Sequence, residues 1–182
     1  MEAKEAKGLS KFLSFILRHK PETIGITLDK GGWANIDELI EKSRSDMHPG
    51  FDREKLEFIV SHNNKQRFSF SEDGRKIRAN QGHSIPVDLG LMPKEPPHSL
   101  FHGTADKNVA SIMAGGLQRQ SRHHVHLSAD KATAKAVGMR YGKPVILTIH
   151  SRRMHEEGHV FFQSENGVWL TLEVPVSYID FN

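Results

Sequence analysis

The sequence predicts an α+β protein made of two lobes, and three observations support this prediction. Residues 1–84 contain three amphipathic helical patterns followed by one strand–turn–strand pattern. Residues 85–99 are proline-rich and show neither a helical nor an alternating period. Residues 100–182 mix short strand patterns with short helical ones. We therefore expect an N-terminal lobe at 1–84, a linker at 85–99 and a mixed α/β lobe at 100–182.

The N-terminal lobe opens with an amphipathic helix in LSKFLSFILRHKP. Its apolar residues recur at helical spacing and predict one buried stripe: Leu9, Phe12, Leu13, Ile16 and Leu17. Pro21 disfavours the helical conformation at Lys20, so we expect the helix to end near His19. Arg18 falls about half a turn away from the stripe, given ~100° per residue.

Two further helices and a hairpin complete the predicted N-terminal lobe. Asn35 is placed to cap the helix NIDELIEK, and Asp52 is placed to cap the helix in FDREKLEFIV. In RFSFSEDGRKIRAN, a two-residue turn at 73–74 would pair Phe70 with Ile77. Three helices followed by such a hairpin indicate a winged-helix lobe.

The second lobe is predicted to mix strands and helices. LFHGT, HVHLS, PVILTIH, HVFFQS and VWLTLEVP read as strands. Asp106 is expected to cap a short helix that ends at Gly115 and Gly116. A second helix in DKATAKAVGMRYG is expected to end at Gly142.

The composition narrows the possible classes of protein. Hydrophobic residues make up 37% of the chain, and no stretch reaches the roughly 18–20 apolar residues of a membrane-spanning helix. The absence of cysteine excludes disulfides and thiolate metal sites. The opening MEAKEAKGLS lacks the apolar core of a secretion signal, so we expect a cytoplasmic protein with no membrane partner. The net charge of +3 is small, so any nucleic acid must be held by a few placed cations.

The stretch RHHVHLS, residues 122–128, is the first candidate site. Because side chains alternate along a strand, one face carries four polar residues: Arg122, His124, His126 and Ser128. Two histidines on one face suit a metal ion, but zinc needs a third and usually a fourth ligand, and the chain has no HExxH motif. An arginine beside histidines suits a phosphate instead, provided that other cations converge there. A strand with exposed histidines and no ligand is the remaining alternative.

Other candidate residues also have simple structural explanations. Arg18 and His19 end the first helix, where cations complement the helix dipole. Arg67 heads the polar face of the hairpin and reads, from the sequence alone, as a solvated strand arginine. In FHGT, Gly103 lets the backbone approach a ligand closely, although an ordinary turn explains it as well. KGGW and AGGL match neither GxGxxG nor GxxxxGK[ST], which excludes a Rossmann or P-loop nucleotide site.

Taken in order, these stretches resemble the RNA 2′-phosphotransferase family, the tRNA 2′-phosphotransferases. The similarity lies in SKFLSFILRHKP, GGWANIDELI, RFSFSEDGRKIRANQGHS, LFHGT, RHHVHLSAD and ENGVWLT, which occur in family order and cover nearly the whole chain. One departure is Phe101, where a tyrosine is frequent, and it removes a hydroxyl group. The resemblance implies a winged-helix RNA-binding lobe joined to an ADP-ribosyltransferase-like NAD-binding lobe.

The resemblance also implies a reaction, in which an internal 2′-phosphate of RNA is transferred to the ADP-ribose of NAD. In the first step the phosphate attacks the nicotinamide ribose at C1″, and nicotinamide leaves. In the second step the ribose 2″-hydroxyl attacks the phosphate. The products are RNA with a 2′-hydroxyl and ADP-ribose 1″,2″-cyclic phosphate, as needed in tRNA processing or RNA repair. We expect a monomer whose partners are RNA and NAD, with NAD consumed as a co-substrate and no metal required.

The family motifs imply roles for individual residues. Four of them correspond to the catalytic set: Arg18, His19, Arg67 and Arg122. FHGT, HVHLS and GVW correspond to the NAD-binding set: His102, Gly103, Thr104, His126, Ser128 and Val168. Protein ADP-ribosyltransferases often carry a catalytic glutamate where this chain has valine, so glutamate-assisted transfer to protein is disfavoured.

The chemistry of these residue types suits the implied reaction. Arginine offers a planar fork of donors matched to phosphate oxygens, and each charge-assisted hydrogen bond contributes about 1.5–3 kcal/mol. The first step needs no general base, because a 2′-phosphate is already ionised near neutral pH. The second step moves a proton from one hydroxyl to another, and a histidine with an ordinary pKa of about 6.5 suits that transfer. We assign this role to His19.

Two other functions compete with this one. An ADP-ribosyltransferase that modifies terminal nucleic-acid phosphates or protein would stop after the first step. A plain winged-helix nucleic-acid-binding protein would catalyse nothing, but such a module needs neither a second, histidine-rich lobe nor the FHGT motif.

Overall fold

A computed structural model describes residues 1–181, without the side chain of Asp46. The chain folds into two compact units, Met1–Gly90 and the residues from Leu91 onward. The division falls within the proline-rich segment 85–99, which forms neither helix nor strand. Both units contain helices and small sheets, so the α+β prediction is confirmed. The winged-helix and ADP-ribosyltransferase-like descriptions, and the limits at 84 and 100, stay predictions.

The first unit packs its helices around an apolar core: α1 (Ala3–Arg18), α2 (Ile36–Asp46) and α3 (Arg53–Ser61). The five apolar residues predicted to form the stripe of α1 are all buried. The helix ends at Arg18 with His19 as its C-cap, as the position of Pro21 predicts. The predicted N-caps are confirmed, since Asn35 and Asp52 each accept a hydrogen bond from the backbone N–H three residues later, at 3.0 and 2.9 Å.

The sheet of the first unit has three antiparallel strands in the order β1-β3-β2: β1 (Ala34–Asn35), β2 (Phe68–Phe70) and β3 (Lys76–Ala79). The predicted register is confirmed, with Phe70 opposite Ile77. The prediction of a two-residue turn at 73–74 is wrong in detail, because the loop between the strands spans 71–75. A 2.9 Å hydrogen bond from Gly74 N–H to the Ser71 carbonyl closes this loop. The sequence gives no sign of β1, because two residues are too few to display a period.

The second unit mixes strands and helices, and its described part ends in a run of four short strands. Its elements are β4 (Leu100–Ala105), α4 (Val109–Gly115), β5 (Leu117–Gln118), β6 (Val125–Leu127), α5 (Lys131–Gly138), β7 (Pro144–Ile149), α6 (Ser151–Glu156), β8 (Phe161–Gln163), β9 (Trp169–Thr171), β10 (Glu173–Val174) and β11 (Ile179–Asp180). Antiparallel pairing gives the sheets β11-β7-β4, β6-β9-β8 and β10-β5. A bridge between Phe101 and Ser128 joins β4 to the end of β6. Strands are therefore present in LFHGT, HVHLS, PVILTIH and HVFFQS, whereas VWLTLEVP, predicted as one strand, divides into β9 and β10 in different sheets. Two of the three sheets meet where FHGT and HVHLS lie side by side.

Two local predictions in the second unit are wrong. Asp106 does not cap α4 but begins a 3₁₀ turn ahead of it, where its carboxylate accepts a hydrogen bond from Lys107 N–H at 2.8 Å. Helix α5 ends at Gly138 rather than at Gly142. The next residues form tighter, three-residue hydrogen bonds, such as the 3.1 Å bond from Tyr141 N–H to the Gly138 carbonyl, and these end the α-helix.

Each unit has its own core of buried apolar side chains. Every helix in the part of the chain that the structure describes is too short or too polar to cross a membrane.

Candidate functional site

The catalytic candidates Arg18 and His19 lie at the C-terminal end of α1. Arg18 is the last helical residue, and its Nε and Nη2 atoms are buried although the residue as a whole is only half-buried. His19 leaves the helical conformation at φ −130°, and its backbone N–H still bonds to the Phe15 carbonyl at 3.1 Å. The end of a packed helix therefore fixes the backbone of both residues.

The segment that follows the hairpin contacts both of these residues. Gly82 adopts a left-handed φ of +89°, and an added Cβ there would lie 3.3 Å from Cζ and Nε of Arg18. Two residues later, Ser84 N–H donates to the Arg18 carbonyl at 3.0 Å. The Ser84 hydroxyl lies 2.8 Å from Nδ1 of His19. The backbone of this segment therefore packs against the guanidinium, and its serine orients the imidazole.

Arg67, the third catalytic candidate in this unit, precedes β2. Its carbonyl accepts a 2.8 Å hydrogen bond from Asn80 N–H, which joins the base of the hairpin to the start of the segment 80–84. The buried Asn80 side chain adds two bonds, donating to the Gln66 carbonyl at 2.6 Å and accepting from the Ser69 hydroxyl at 2.7 Å. Burial lowers the pKa of the Arg67 guanidinium, which remains charged at neutral pH. A half-buried arginine at this place replaces the solvated strand arginine that the sequence favours.

The far end of the same segment is anchored by a buried arginine. Arg78 is only 9% exposed, and its guanidinium lies 4.4 Å from the centre of the Trp33 ring. It donates to the carbonyls of Gly31 and Leu89 at 3.4 and 3.5 Å. Residues 80–89 are thus tied down at both ends, so that Gly82 and Ser84 have a defined position.

In the second unit, the candidates Arg122 and His126 are brought together. Arg122 is exposed ahead of β6, and its Nη1 lies 3.2 Å from Nδ1 of His126. A guanidinium can only donate, so Nδ1 of His126 accepts and the proton of the neutral ring is on Nε2. The predicted alternation is confirmed within β6, where Val125 and Leu127 are buried and His126 is half-buried.

His102 of β4 contacts the backbone of His126. Its Nδ1 lies 3.1 Å from the His126 carbonyl, so Nδ1 donates and Nε2 of the neutral ring is an acceptor. Burial lowers the pKa of His102, while the hydrogen bond to the carbonyl opposes this effect. His102 is therefore neutral at physiological pH, with a defined tautomer.

The remaining NAD-binding candidates surround this contact or have structural roles. Gly103 packs against α5, and an added Cβ would lie 1.6 Å from the Ala134 carbonyl oxygen. This packing accounts for the glycine without any ligand. Thr104 is buried, and its hydroxyl accepts from the Asn108 amide at 3.4 Å. Ser128 bonds to the backbone of Phe101 in both directions, at 2.7 and 2.8 Å.

Val168 lies in the turn that leads into β9. Its N–H donates to the Ser164 hydroxyl at 3.1 Å, and its carbonyl accepts from Ser164 N–H at 2.9 Å. The next residue, Trp169, pairs with Leu127 of β6. The NAD-binding candidates of FHGT, HVHLS and GVW therefore lie on or beside three neighbouring strands.

The HxH pair of residues 124–126 is the remaining feature of this stretch. Among residues 1–181, no three histidine, aspartate or glutamate side chains are arranged to hold a metal ion. His124, the other member of the HxH pair, has its ring 5.5 Å from that of Phe162. Burial and the nearby charges of His123 and Arg119 lower the pKa of His124.

The residues that sequence reasoning missed are Gly82 and Ser84. Both lie in NQGHS, directly after the hairpin. A glycine and a serine two residues apart, following a strand rich in cations, are the available signal. That signal is weak, because the pairing of Ser84 with a histidine 65 residues earlier depends on the tertiary fold.

Comparison with known proteins gives consistent results over nearly the whole chain. A family model described as "RNA 2'-phosphotransferase, Tpt1 / KptA family" matches residues 4–173. A protein of Acaryochloris marina named "Probable RNA 2'-phosphotransferase" is 54% identical over 174 residues, covering 96% of each chain. Relatives with the same name from Burkholderia lata and Pseudomonas aeruginosa are 52% and 53% identical, each over 98% of this chain and over 92% and 98% of their own length.

The recognition made from short motifs is thereby confirmed, as is the prediction of an enzyme of the transferase class. Arg18, His19, Arg67, His102, Arg122, His126, Ser128 and Val168 all fall within the matched residues 4–173. The chain belongs to the RNA 2′-phosphotransferase, Tpt1 / KptA family.

Proposed function

We propose that this chain removes an internal 2′-phosphate from RNA by transferring it to the ADP-ribose of NAD. The products are RNA with a 2′-hydroxyl, nicotinamide and ADP-ribose 1″,2″-cyclic phosphate. Family membership supports the first part, the removal of a 2′-phosphate from RNA. The use of NAD and the cyclic product are what the family resemblance implies, and the residues described above are chemically suited to them.

The proposed phosphate-binding residues are Arg18, Arg67 and Arg122. Each carries a fork of N–H donors that matches two phosphate oxygens, and none can lose its charge at neutral pH. Partial burial, as at Arg67, reduces competition from water for these donors. Such groups hold an anionic nucleophile in place and stabilise the charge that develops when the phosphate is attacked in turn.

The side chains around His126 suit a ligand with ribose hydroxyl groups. Nε2 of His102 is an acceptor, because Nδ1 donates to the His126 carbonyl. The neutral state of His102, which burial favours, keeps that acceptor available at physiological pH. Ser128 adds a hydroxyl beside β4. NAD, when bound, supplies the electrophilic ribose carbon and the hydroxyl group that later takes up the phosphate.

His19 is the proposed proton carrier of the second step. It takes the proton from the attacking hydroxyl and gives it to the departing RNA 2′-oxygen, as one imidazole can do in either direction. A role in this step alone predicts that the His19→Ala variant still consumes NAD but accumulates ADP-ribosylated RNA. An unchanged overall rate in that variant would remove His19 from the mechanism.

One observation supports the proposal above all others. His126 bonds through its ring to Arg122 and through its backbone carbonyl to His102, at 3.2 and 3.1 Å. The side chains of Arg122, proposed to bind phosphate, and His126, proposed to bind NAD, are therefore in direct contact, and the His102 side chain bonds to the backbone of His126 in the same unit. Proximity of this kind supports the proposed transfer of a phosphate onto NAD.

The test compares two RNA oligonucleotides, one with an internal 2′-phosphate and one with a 5′-phosphate, in the presence of NAD labelled in its adenylate. We expect the 2′-phosphorylated RNA to release the label as a cyclic phosphate and the 5′-phosphorylated RNA to stay unlabelled. Stable label on either RNA would contradict the proposal and favour an ADP-ribosyltransferase of terminal phosphates. EDTA is expected to leave the rate unchanged, and a loss that zinc restores would contradict a metal-free mechanism.

A further inference from the structure

The Ser84 hydroxyl and the His19 ring form a contact to which the roles assigned above give no function. The two residues are 65 positions apart, and their side chains meet at 2.8 Å. Ser84 also bonds through its backbone N–H to the carbonyl of Arg18, at 3.0 Å. The serine therefore contacts both members of the Arg18–His19 pair without carrying charge or proton-transfer chemistry of its own.

The position of Ser84 is imposed by the surrounding fold. The segment that carries it starts at Asn80, which bonds to the Arg67 carbonyl, and runs to Asp88 and Leu89, which bond to the Lys30 carbonyl and to Arg78. The left-handed Gly82 turns the backbone toward α1 between these anchors. Ser84 itself is exposed, so its hydroxyl contributes no core packing.

When an imidazole takes and gives a proton at Nε2, Nδ1 keeps its own proton in both the neutral and the charged state. The Ser84 hydroxyl can therefore accept from Nδ1 throughout, at 2.8 Å, and hold the ring in one orientation. A hydroxyl does this without adding a charge beside the ring. A carboxylate would instead stabilise the charged ring and raise its pKa.

We propose that Ser84 is a positioning residue that holds the His19 ring in one orientation through both halves of its proton transfer, with Nδ1 bound to the hydroxyl and Nε2 as the nitrogen that exchanges the proton. This inference rests on the proposed role of His19. It assigns the segment 80–84 a function in catalysis, and it predicts that the serine matters in the step in which His19 acts.

The experiment uses the Ser84→Ala and Ser84→Thr variants of the full chain. Losing one neutral hydrogen bond should slow the second step by about two- to tenfold and leave the first step unchanged. Threonine, which retains the hydroxyl, should restore the rate. Quenched single-turnover reactions with 2′-phosphorylated RNA and NAD separate the two steps, because the ADP-ribosylated RNA appears before the final product.

A matched control exists in the same unit. Ser61 bonds to Nδ1 of the neighbouring His62 at 2.9 Å, which reproduces the serine–histidine contact on the surface of α3. The Ser61→Ala variant should leave both steps unchanged. If Ser84→Ala behaves like Ser61→Ala in both steps, Ser84 has no positioning role.

A second measurement needs neither RNA nor NAD. Nitrogen-15 NMR of the free protein reports which imidazole nitrogen carries the proton, and the His19→Gln variant identifies the His19 signals. Ser84→Ala should change the tautomer ratio of His19 and broaden its signals, whereas unchanged signals would overturn the proposed contact. An inactive wild-type protein with the expected NMR change would refute the proposed function and leave the Ser84–His19 contact standing.

Discussion

The two units each place an arginine beside a histidine, but they hold the pair in different ways. Arg18 and His19 are sequence neighbours at the end of α1, and the segment 80–84 packs against them. Arg122 precedes β6 and His126 lies within it, and a 3.2 Å side-chain hydrogen bond joins the two residues. The first pair packs against a buried glycine of the segment 80–84, whereas the side chains of the second pair meet through an exposed arginine.

The two arginine–histidine pairs should respond differently to amino-acid substitutions. The first pair is preorganised, because packing holds the backbone and buries part of the Arg18 guanidinium. In the second pair, protonation of Nδ1 of His126 removes the acceptor that orients Arg122. Substitutions should therefore act on the first pair through the lost side chain itself and on the second pair through its partner.

The largest effect is expected from Arg18→Ala, which removes a preorganised cation from the proposed phosphate site. We expect a loss of about 10²–10³-fold in kcat, the usual effect of removing one positioned donor, and Lys should restore little because it lacks the planar fork. Single-turnover kinetics with 2′-phosphorylated RNA measure this loss. Arg53→Ala is the matched control, because Arg53 pairs with Glu57 on the surface of α3 at 2.9 Å. A loss below about tenfold in Arg18→Ala would end the distinction between the two pairs.

The next largest effect is expected on the stability of the second unit, through Gly103. The Gly103→Ala substitution places a Cβ 1.6 Å from the Ala134 carbonyl oxygen, so β4 and α5 must separate. We expect a loss of about 1–3 kcal/mol or more in the free energy of unfolding, measured by urea denaturation. Gly115→Ala is the control, because an added Cβ there meets no atom within 4 Å from the described residues outside its own turn of helix. Equal stability of the two variants would show that α5 does not fix the strand that carries His102.

A smaller effect is expected from His126→Ala, which removes the partner of Arg122. Arg122 keeps its charge but loses its orientation, so we expect a loss of about tenfold in kcat/KM rather than the loss expected for Arg18→Ala. The double variant Arg122→Ala/His126→Ala should lose less than the two single losses combined, because each single variant already removes the contact between the two side chains. Fully additive losses would contradict the view that His126 orients Arg122. His155→Ala, on the exposed face of α6, is the control.

The smallest effect is expected for the change in the free energy of unfolding with pH that comes from His102. Burial lowers the pKa of His102 in the folded state, while the unfolded chain titrates near the ordinary value of about 6.5. Below about pH 6.5 the His102 ring binds a proton in the unfolded chain but not yet in the folded protein. The contribution of neutral His102 to the free energy of unfolding is therefore complete above about pH 6.5 and is lost as the pH falls toward the folded pKa. Urea unfolding at several pH values should show this loss, and the His102→Gln variant should reduce it. An equal pH dependence in both proteins would mean that His102 is not buried in its neutral form.

The sequence predicts the regular parts of the two units well. The stripe of α1, the caps Asn35 and Asp52, and the register of the hairpin all follow from local spacing, and the structure confirms them. The family assignment depends on motifs in a common order, and the match over residues 4–173 confirms it.

The remaining features depend on contacts between distant residues. The last residue of α5, Gly138, lies against β4, where an added Cβ would lie 2.8 Å from the Thr104 carbonyl oxygen, and this close approach is visible only in the fold. Gly103 reads as a ligand contact in the sequence, and its packing against α5 appears only in the fold. The contact between Ser84 and His19 joins two segments with no shared pattern. Local spacing carries no information on such pairs.

In the proposed reaction, each 2′-phosphate leaves the RNA only in exchange for the nicotinamide of one NAD molecule. This exchange is tested by counting nicotinamide released and 2′-hydroxyl RNA formed in the same reaction, with NAD supplied or omitted. We expect equal amounts of the two products with NAD and neither without it. Formation of 2′-hydroxyl RNA in the absence of NAD, with inorganic phosphate as the second product, would contradict it.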